Sequence, residues 1–175
     1  MDAPGALALA LARRAVEHYV RSRDLLPPPA DPPPLLQDPG AAFVTLRIGR
    51  ALRGCIGTLA PSKPTLAHEI VANAVAAASS DPRFPPVVAH ELAALLYEVD
   101  LVRTPEPVAD QSHLDPEQYG VVVEAGGRRG VLLPGIEGIT TSHQQVAIAR
   151  AKGLILPSES VTLYRFTVIR FRDEL

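Results

Sequence analysis

Residues 43–57 read FVTLRIGRALRGCIG. Val44, Leu46 and Ile48 alternate with Thr45, Arg47 and Gly49, the two-residue period of a strand with one buried face. After Gly49-Arg50 the chain returns to extended structure through LRGCIG, so the stretch predicts a β-hairpin. Further hairpins downstream argue against regular strand-helix-strand winding. The predicted class is α+β, an antiparallel sheet flanked by helices.

Upstream, apolar residues Leu7, Leu11, Ala15 and Tyr19 fall at helical spacing, predicting a helix from Pro4 to Ser22 with Asp2 near its start. LALALA ahead of Arg13-Arg14 suits an amphipathic helix better than a signal peptide, because no basic stretch precedes it. Residues 1–24 therefore read as an N-terminal helix. LLPPPADPPPLLQDP, residues 25–39, follows as a stiff extended strap, since its prolines remove amide donors and fix the backbone. A ligand for a proline-reading domain is the alternative. Residues 40–175 form the rest of a single domain.

Downstream of the hairpin, SKPTLAHEIVANAVAAASSD predicts a helix capped by Ser62 or Thr65, with Leu66, Ile70, Ala74 and Ala77 or Ala78 turned inward. LLYEVDLVR predicts a strand, and Thr104–Pro116 a proline-broken loop. YGVVVEAGGRRGVLLP predicts two strands about a glycine turn. A last helix starts near Thr141 or Ser142, each with glutamine three residues on, and stops at Gly153. VTLYRFTVIRF predicts one long closing strand.

Apolar residues make up 47% and charged residues 21% of 175, the balance of a chain that buries its own core. The net charge of −2 supplies no global positive field for nucleic acid. No run reaches the length of a membrane span, and the expected compartment is the cytoplasm. The single cysteine, Cys55, cannot form an internal disulfide. The five histidines lack metal-ligand spacing, and no metal or cofactor is expected.

Alternation places Arg53 and Cys55 on one face of their strand, with Leu52 and Ile56 on the other. A guanidinium beside the sulfur favours thiolate and raises its reactivity. Gly54 and Gly57 permit close approach by a ligand or another backbone. The same spacing suits an inert thiol buried as a small hydrophobe, and the motif alone does not separate the two. In DPRFPPV, residues 81–87, Arg83 is placed to bind an anion and Phe84 to wall a pocket; capping of the preceding helix and core plugging are the alternatives. GGRRG, residues 126–130, reads as a hairpin turn flanked by arginines, with an anion site as the alternative.

Taken in order, LRGCIG, DPRFPPV, YGVVVEAGGRRGVLLP and YRF resemble the AMMECR-one domain family over Ala42 to Phe171, most closely its prokaryotic branch, the AmmeMemoRadiSam system protein A. The resemblance implies a cytosolic α+β fold of two unequal lobes, with a cleft between them lined by the RGCIG motif. Carried over by position, it marks Arg53, Gly54, Cys55, Ile56 and Gly57, then Asp81, Pro82, Arg83 and Phe84, then Arg128 and Arg129. Its partners would be a Memo-like protein and a radical SAM enzyme. TTSHQQVAIARAKG lacks the cysteine that many family members carry in that region, which argues against a two-thiol mechanism.

Two functions follow from these readings. One is an accessory or binding protein holding a small molecule or a partner segment near Cys55. The other is a thiol-dependent enzyme with Cys55 as its catalytic nucleophile, Arg53 as its activating cation and a base the sequence does not identify. Nucleic-acid binding ranks last, given the acidic balance and few aromatics.

Overall fold

In the computed structural model, which describes residues 3–174, the hydrophobic pattern divides between two antiparallel sheets. Helix α1 spans Ala3–Ser22, α2 Pro34–Gln37 and α3 Leu66–Ser79; strands β1 and β2 span Ala41–Ile48 and Ala51–Gly57. Asp2 lies outside the described residues. The chain continues through β3 (Leu95–Val102), β4 (Glu106–Val108), β5 (Gly120–Ala125), β6 (Arg128–Leu132), α4 (Ser142–Lys152), β7 (Thr162–Phe166) and β8 (Val168–Arg172).

The first of two unequal units runs to Val102 and resumes at Ile169. Its sheet has the order β2-β1-β3-β8. Val44 and Leu46 on β1, with Tyr97, Val99 and Leu101 on β3, are buried in one core with α1 and α3. That core takes Ile70, Ala74, Ala77 and Ala78 from α3, as the helical spacing requires. The Thr65 hydroxyl caps α3 by accepting from the His68 amide. The strap is docked by the buried Leu36, and the Asp38 carbonyl accepts from the Leu66 amide at 2.8 Å.

The second unit, Arg103–Val168, carries the sheet β4-β7-β5-β6 with α4 packed against β5 and β6. Its core gathers Val121, Val123, Leu132, Val146, Ala149 and Leu163. Gly126 and Gly127 join β5 to β6 at φ 53° and 77°, the left-handed pair that a two-residue hairpin turn needs. Thr141 and Gln144 form the reciprocal cap of α4.

Two local expectations change. VTLYRFTVIRF is two strands, with Thr167 between β7 and β8, and the two join different sheets. Periodicity reads burial, and both halves are half-buried, so the pattern carries no sign of the switch. The segment from Thr104 to Pro116 is not all loop, because β4 adds an edge strand to β7 across Glu106↔Arg165 and Val108↔Leu163. Pro107 is tolerated there because an edge strand leaves one row of amides unpaired.

Candidate functional site

The β1–β2 hairpin is regular from Phe43↔Gly57 to Leu46↔Gly54, then shifts register so that Arg47 faces Leu52. Arg53 is the extra residue of a β-bulge, and strand alternation does not carry through it. Cross-strand partners share a face, so Leu52 falls on the Arg47 side, not opposite Cys55 as simple alternation gives. The bulge also aims the Arg53 guanidinium at Glu91, which accepts from Nε at 2.7 Å and Nη2 at 2.9 Å. Nη1 donates to the Pro85 carbonyl at 2.9 Å. Arg53 is thus tied to the segment following DPRF, and the bidentate pair holds the Glu91 carboxyl below its ordinary range.

Cys55 is half-buried and sits opposite Thr45, whose hydroxyl donates to Sγ at 3.3 Å. Thr45 itself is buried and also faces Glu98 on β3. The guanidinium brought to Cys55 comes from the second motif. Asp81, just past the end of α3, accepts the Cys55 amide at 2.8 Å and grips Arg83 through Nε at 2.9 Å and Nη2 at 2.6 Å. Arg83 Nη2 also reaches the Cys55 carbonyl at 3.4 Å, and the guanidinium lies 5.4 Å from the Phe84 ring centroid. The Asp81 side chain is 2% exposed and that of Arg83 50%, so a buried anion presents a half-open cation. Arg83's hydrogen bonds, with the Cys55 and Arg83 amides, outweigh burial and bring the Asp81 carboxyl down to about 2. Arg83 is raised above its ordinary value, chiefly by Asp81 and to a lesser degree by Cys55.

A second cation, Arg170 on β8, pairs with Asp100 at 2.7 Å and Glu98 at 3.5 Å. Burial lowers its pKa, but Asp100, Glu98 and Cys55 together leave it raised. Asp100 is 1% exposed, and burial pushes its carboxyl up despite the hydrogen bond from Arg170. Glu91 and Arg170 carried no signal in spacing. Only the polar phase of β1 and β3 pointed to Thr45, Glu98 and Asp100.

The remaining motif residues are placed as follows. A Cβ on Gly54 would stand 2.1 Å from the Ala77 carbonyl oxygen, so this glycine admits the backbone of α3. Ile56 packs against the core of the first unit, and the Phe43 ring lies over Gly57. Arg128 and Arg129 belong to the second unit. Arg128 pairs with Glu159 and donates to the Leu154 carbonyl at 2.5 Å, while Arg129 pairs with Glu124 at 3.2 Å. The ring of His68, the histidine nearest Cys55 in sequence, contacts the Thr65 hydroxyl at 2.8 Å. Among the described residues, no cluster of three or more His, Cys, Asp or Glu could hold a metal, and no helix is long and apolar enough to cross a membrane.

Comparison with known proteins gives a consistent picture. The AMMECR1 family model matches residues 9–171. A protein of Thermotoga maritima is 49% identical over 164 residues, covering 92% of this chain and 94% of that one. A protein of Thermococcus gammatolerans is 41% identical, covering 99% and 92%. A Clostridium acetobutylicum protein is 41% identical over 131 residues, 75% of this chain but 28% of that longer one. The crystal structure of an uncharacterized protein from Pyrococcus horikoshii superimposes with a TM-score of 0.93 at 33% identity, covering 99% and 93%.

Proposed function

This chain belongs to the AMMECR1 family, and on that premise we propose that it is an accessory or ligand-binding component of an AmmeMemoRadiSam system, with the Cys55 face as its binding site. The observation that carries the reading is the Asp81 clamp, which fixes the Cys55 amide and the Arg83 guanidinium through one carboxylate. Fixing both before a ligand arrives reduces the ordering cost of binding. Arg83 remains half-exposed, so its open edge is available to a carboxylate, a phosphate or a carbonyl of a partner segment. The partners we infer are a Memo-like protein and a radical SAM enzyme. Support for these two comes from the resemblance carried by LRGCIG, DPRFPPV and YGVVVEAGGRRGVLLP in that order.

The test is titration of the purified chain with each of those two proteins from the same genome, followed by calorimetry. Binding of at least one, weakened about tenfold or more by Arg83→Met, is expected. Failure of both to bind would overturn the accessory reading.

A second reading, a thiol-dependent enzyme with Cys55 as nucleophile, is favoured by the Thr45 hydroxyl that donates to Sγ. A donor to sulfur stabilises the thiolate, as do the cations Arg83 and Arg170. The pH profile of Cys55 alkylation distinguishes this reading, because a nucleophile must ionise near neutrality.

A further inference from the structure

The second unit carries a half-enclosed recess of about 210 Å³, lined by Arg103, Thr104, Glu106, Tyr119, Arg165, Phe166 and Thr167. The half-buried Tyr119 ring supplies apolar surface to the recess, whereas the Phe166 ring, 2% exposed, is itself packed away. Gly120 is what admits this ring, since a Cβ there would stand 2.3 Å from it. Arg165 is held in place on three sides. Glu106 accepts from its Nε at 2.6 Å, the His113 carbonyl from Nη1 at 3.0 Å, and its guanidinium lies 4.5 Å from the Tyr119 ring centroid.

The other polar groups of the recess are donors without protein acceptors. The Arg103 guanidinium has no hydrogen-bond or ion-pair partner among the described residues. The same holds for the hydroxyls of Thr104, Tyr119 and Thr167. The backbone is already satisfied here, because the Arg103 amide donates to the Thr167 carbonyl at 2.9 Å. Two guanidiniums against one carboxylate leave the recess one positive charge in excess, within a chain whose net charge is −2. A site with surplus donors, surplus positive charge and an apolar wall is complementary to an acceptor-rich monoanion on a flat apolar body.

We propose that this recess binds a small planar carboxylate, with Arg103 making the bidentate contact, the threonine hydroxyls completing the oxygen shell, and the half-buried Tyr119 ring packing on the ligand's apolar part. Arg165 is a positioning residue, since Glu106, the His113 carbonyl and Tyr119 already occupy it. This inference does not depend on the function proposed for Cys55, which belongs to the first unit.

The probe is benzoate, with benzamide as its neutral counterpart, acetate as the anion without a flat body, and inorganic phosphate as the competing anion. Binding to the whole chain is followed by 1H-15N chemical-shift titration. Benzoate should shift the amides of residues 103–104, 119–120 and 165–167 with a dissociation constant on the order of 1 mM. Benzamide, acetate and phosphate should each bind at least about tenfold more weakly. Arg103→Met should reduce benzoate affinity about tenfold or more, and Arg103→Lys should restore part of it. Arg103 is exposed, so neither substitution threatens the fold, and Cys55→Ser should leave the titration unchanged. Equal binding of benzoate and benzamide, unaltered affinity in Arg103→Met, or no shift at about 20 mM benzoate would overturn the proposal. Phosphate binding more tightly than benzoate would overturn the planar-carboxylate assignment in favour of an inorganic-anion site.

Discussion

The backbone amide of Cys55 donates to the Asp81 carboxylate at 2.8 Å, across 26 positions of sequence. The same carboxylate grips Arg83, so one buried side chain joins the two motifs. Asp81→Ala should leave that amide without its acceptor and cost about 2 kcal/mol, the Arg83 pair adding little because its cation is half-exposed. The Asp81 carboxyl is held at about 2, below the ordinary ~3.9 of an unfolded aspartate. Its ionic contribution is therefore complete above about pH 4 and fades as pH falls toward 2. Urea denaturation at pH 7 and along that acid window checks this: the gap between wild type and variant should narrow as pH falls.

Gly54 meets the backbone of α3, not a side chain that could swing away. Gly54→Ala should destabilise the protein by about 3 kcal/mol, because either the helix or the strand must move. Thermal and urea unfolding measure the loss, and a variant as stable as wild type would show that α3 is not seated on this residue.

Arg170 neutralises Asp100, a carboxylate 1% exposed. Arg170→Met should cost about 3 kcal/mol near neutrality by leaving that charge without its main partner. Burial already raises the Asp100 pKa, and losing the cation raises it further. A carboxyl whose folded pKa exceeds its unfolded value takes up a proton on folding. Its penalty is present above the folded pKa and is relieved as pH falls through it. The variant should therefore recover stability relative to wild type between neutral and mildly acid pH, which denaturation midpoints would reveal.

Arg53 and Arg83 should separate in their effects. Arg53→Met removes the bidentate pair with Glu91 and should cost about 1 to 2 kcal/mol, with thiol reactivity changed less than about twofold. Arg83→Met should do the reverse, altering the thiol more than the stability. Alkylation rates and unfolding midpoints on the two variants decide the matter.

Much of this was legible from local pattern. The β1–β2 hairpin, α3 with its inward Leu66, Ile70 and Ala74, and the Thr141 cap of α4 all follow from periodicity and capping chemistry. The family membership was legible from motif order, and the family model matches over residues 9–171. What escaped was non-local. A single bulge turned Arg53 away to Glu91, 38 positions later, and the neighbouring Gly54 does not reveal it, because a strand glycine marks a bulge and a close backbone approach alike. Arg83 arrives beside Cys55 because α3 returns the chain to β2, and Arg170 reaches Glu98 and Asp100 because the closing segment changes sheets after Thr167. Each depends on tertiary placement, which spacing along the chain does not encode.

The central claim is that Cys55 is a half-buried, reactive thiol with a hydroxyl donor on its sulfur and the Arg83 cation beside it. The direct measurement is the rate of Cys55 alkylation in the folded protein from about pH 5 to 10, for wild type and Arg83→Met. An inflection clearly below the ordinary ~8.5 of a free thiol, moving upward in the variant, is the predicted result. A thiol that does not react while the chain is folded, or one that titrates at or above ~8.5 in both proteins, would contradict the account.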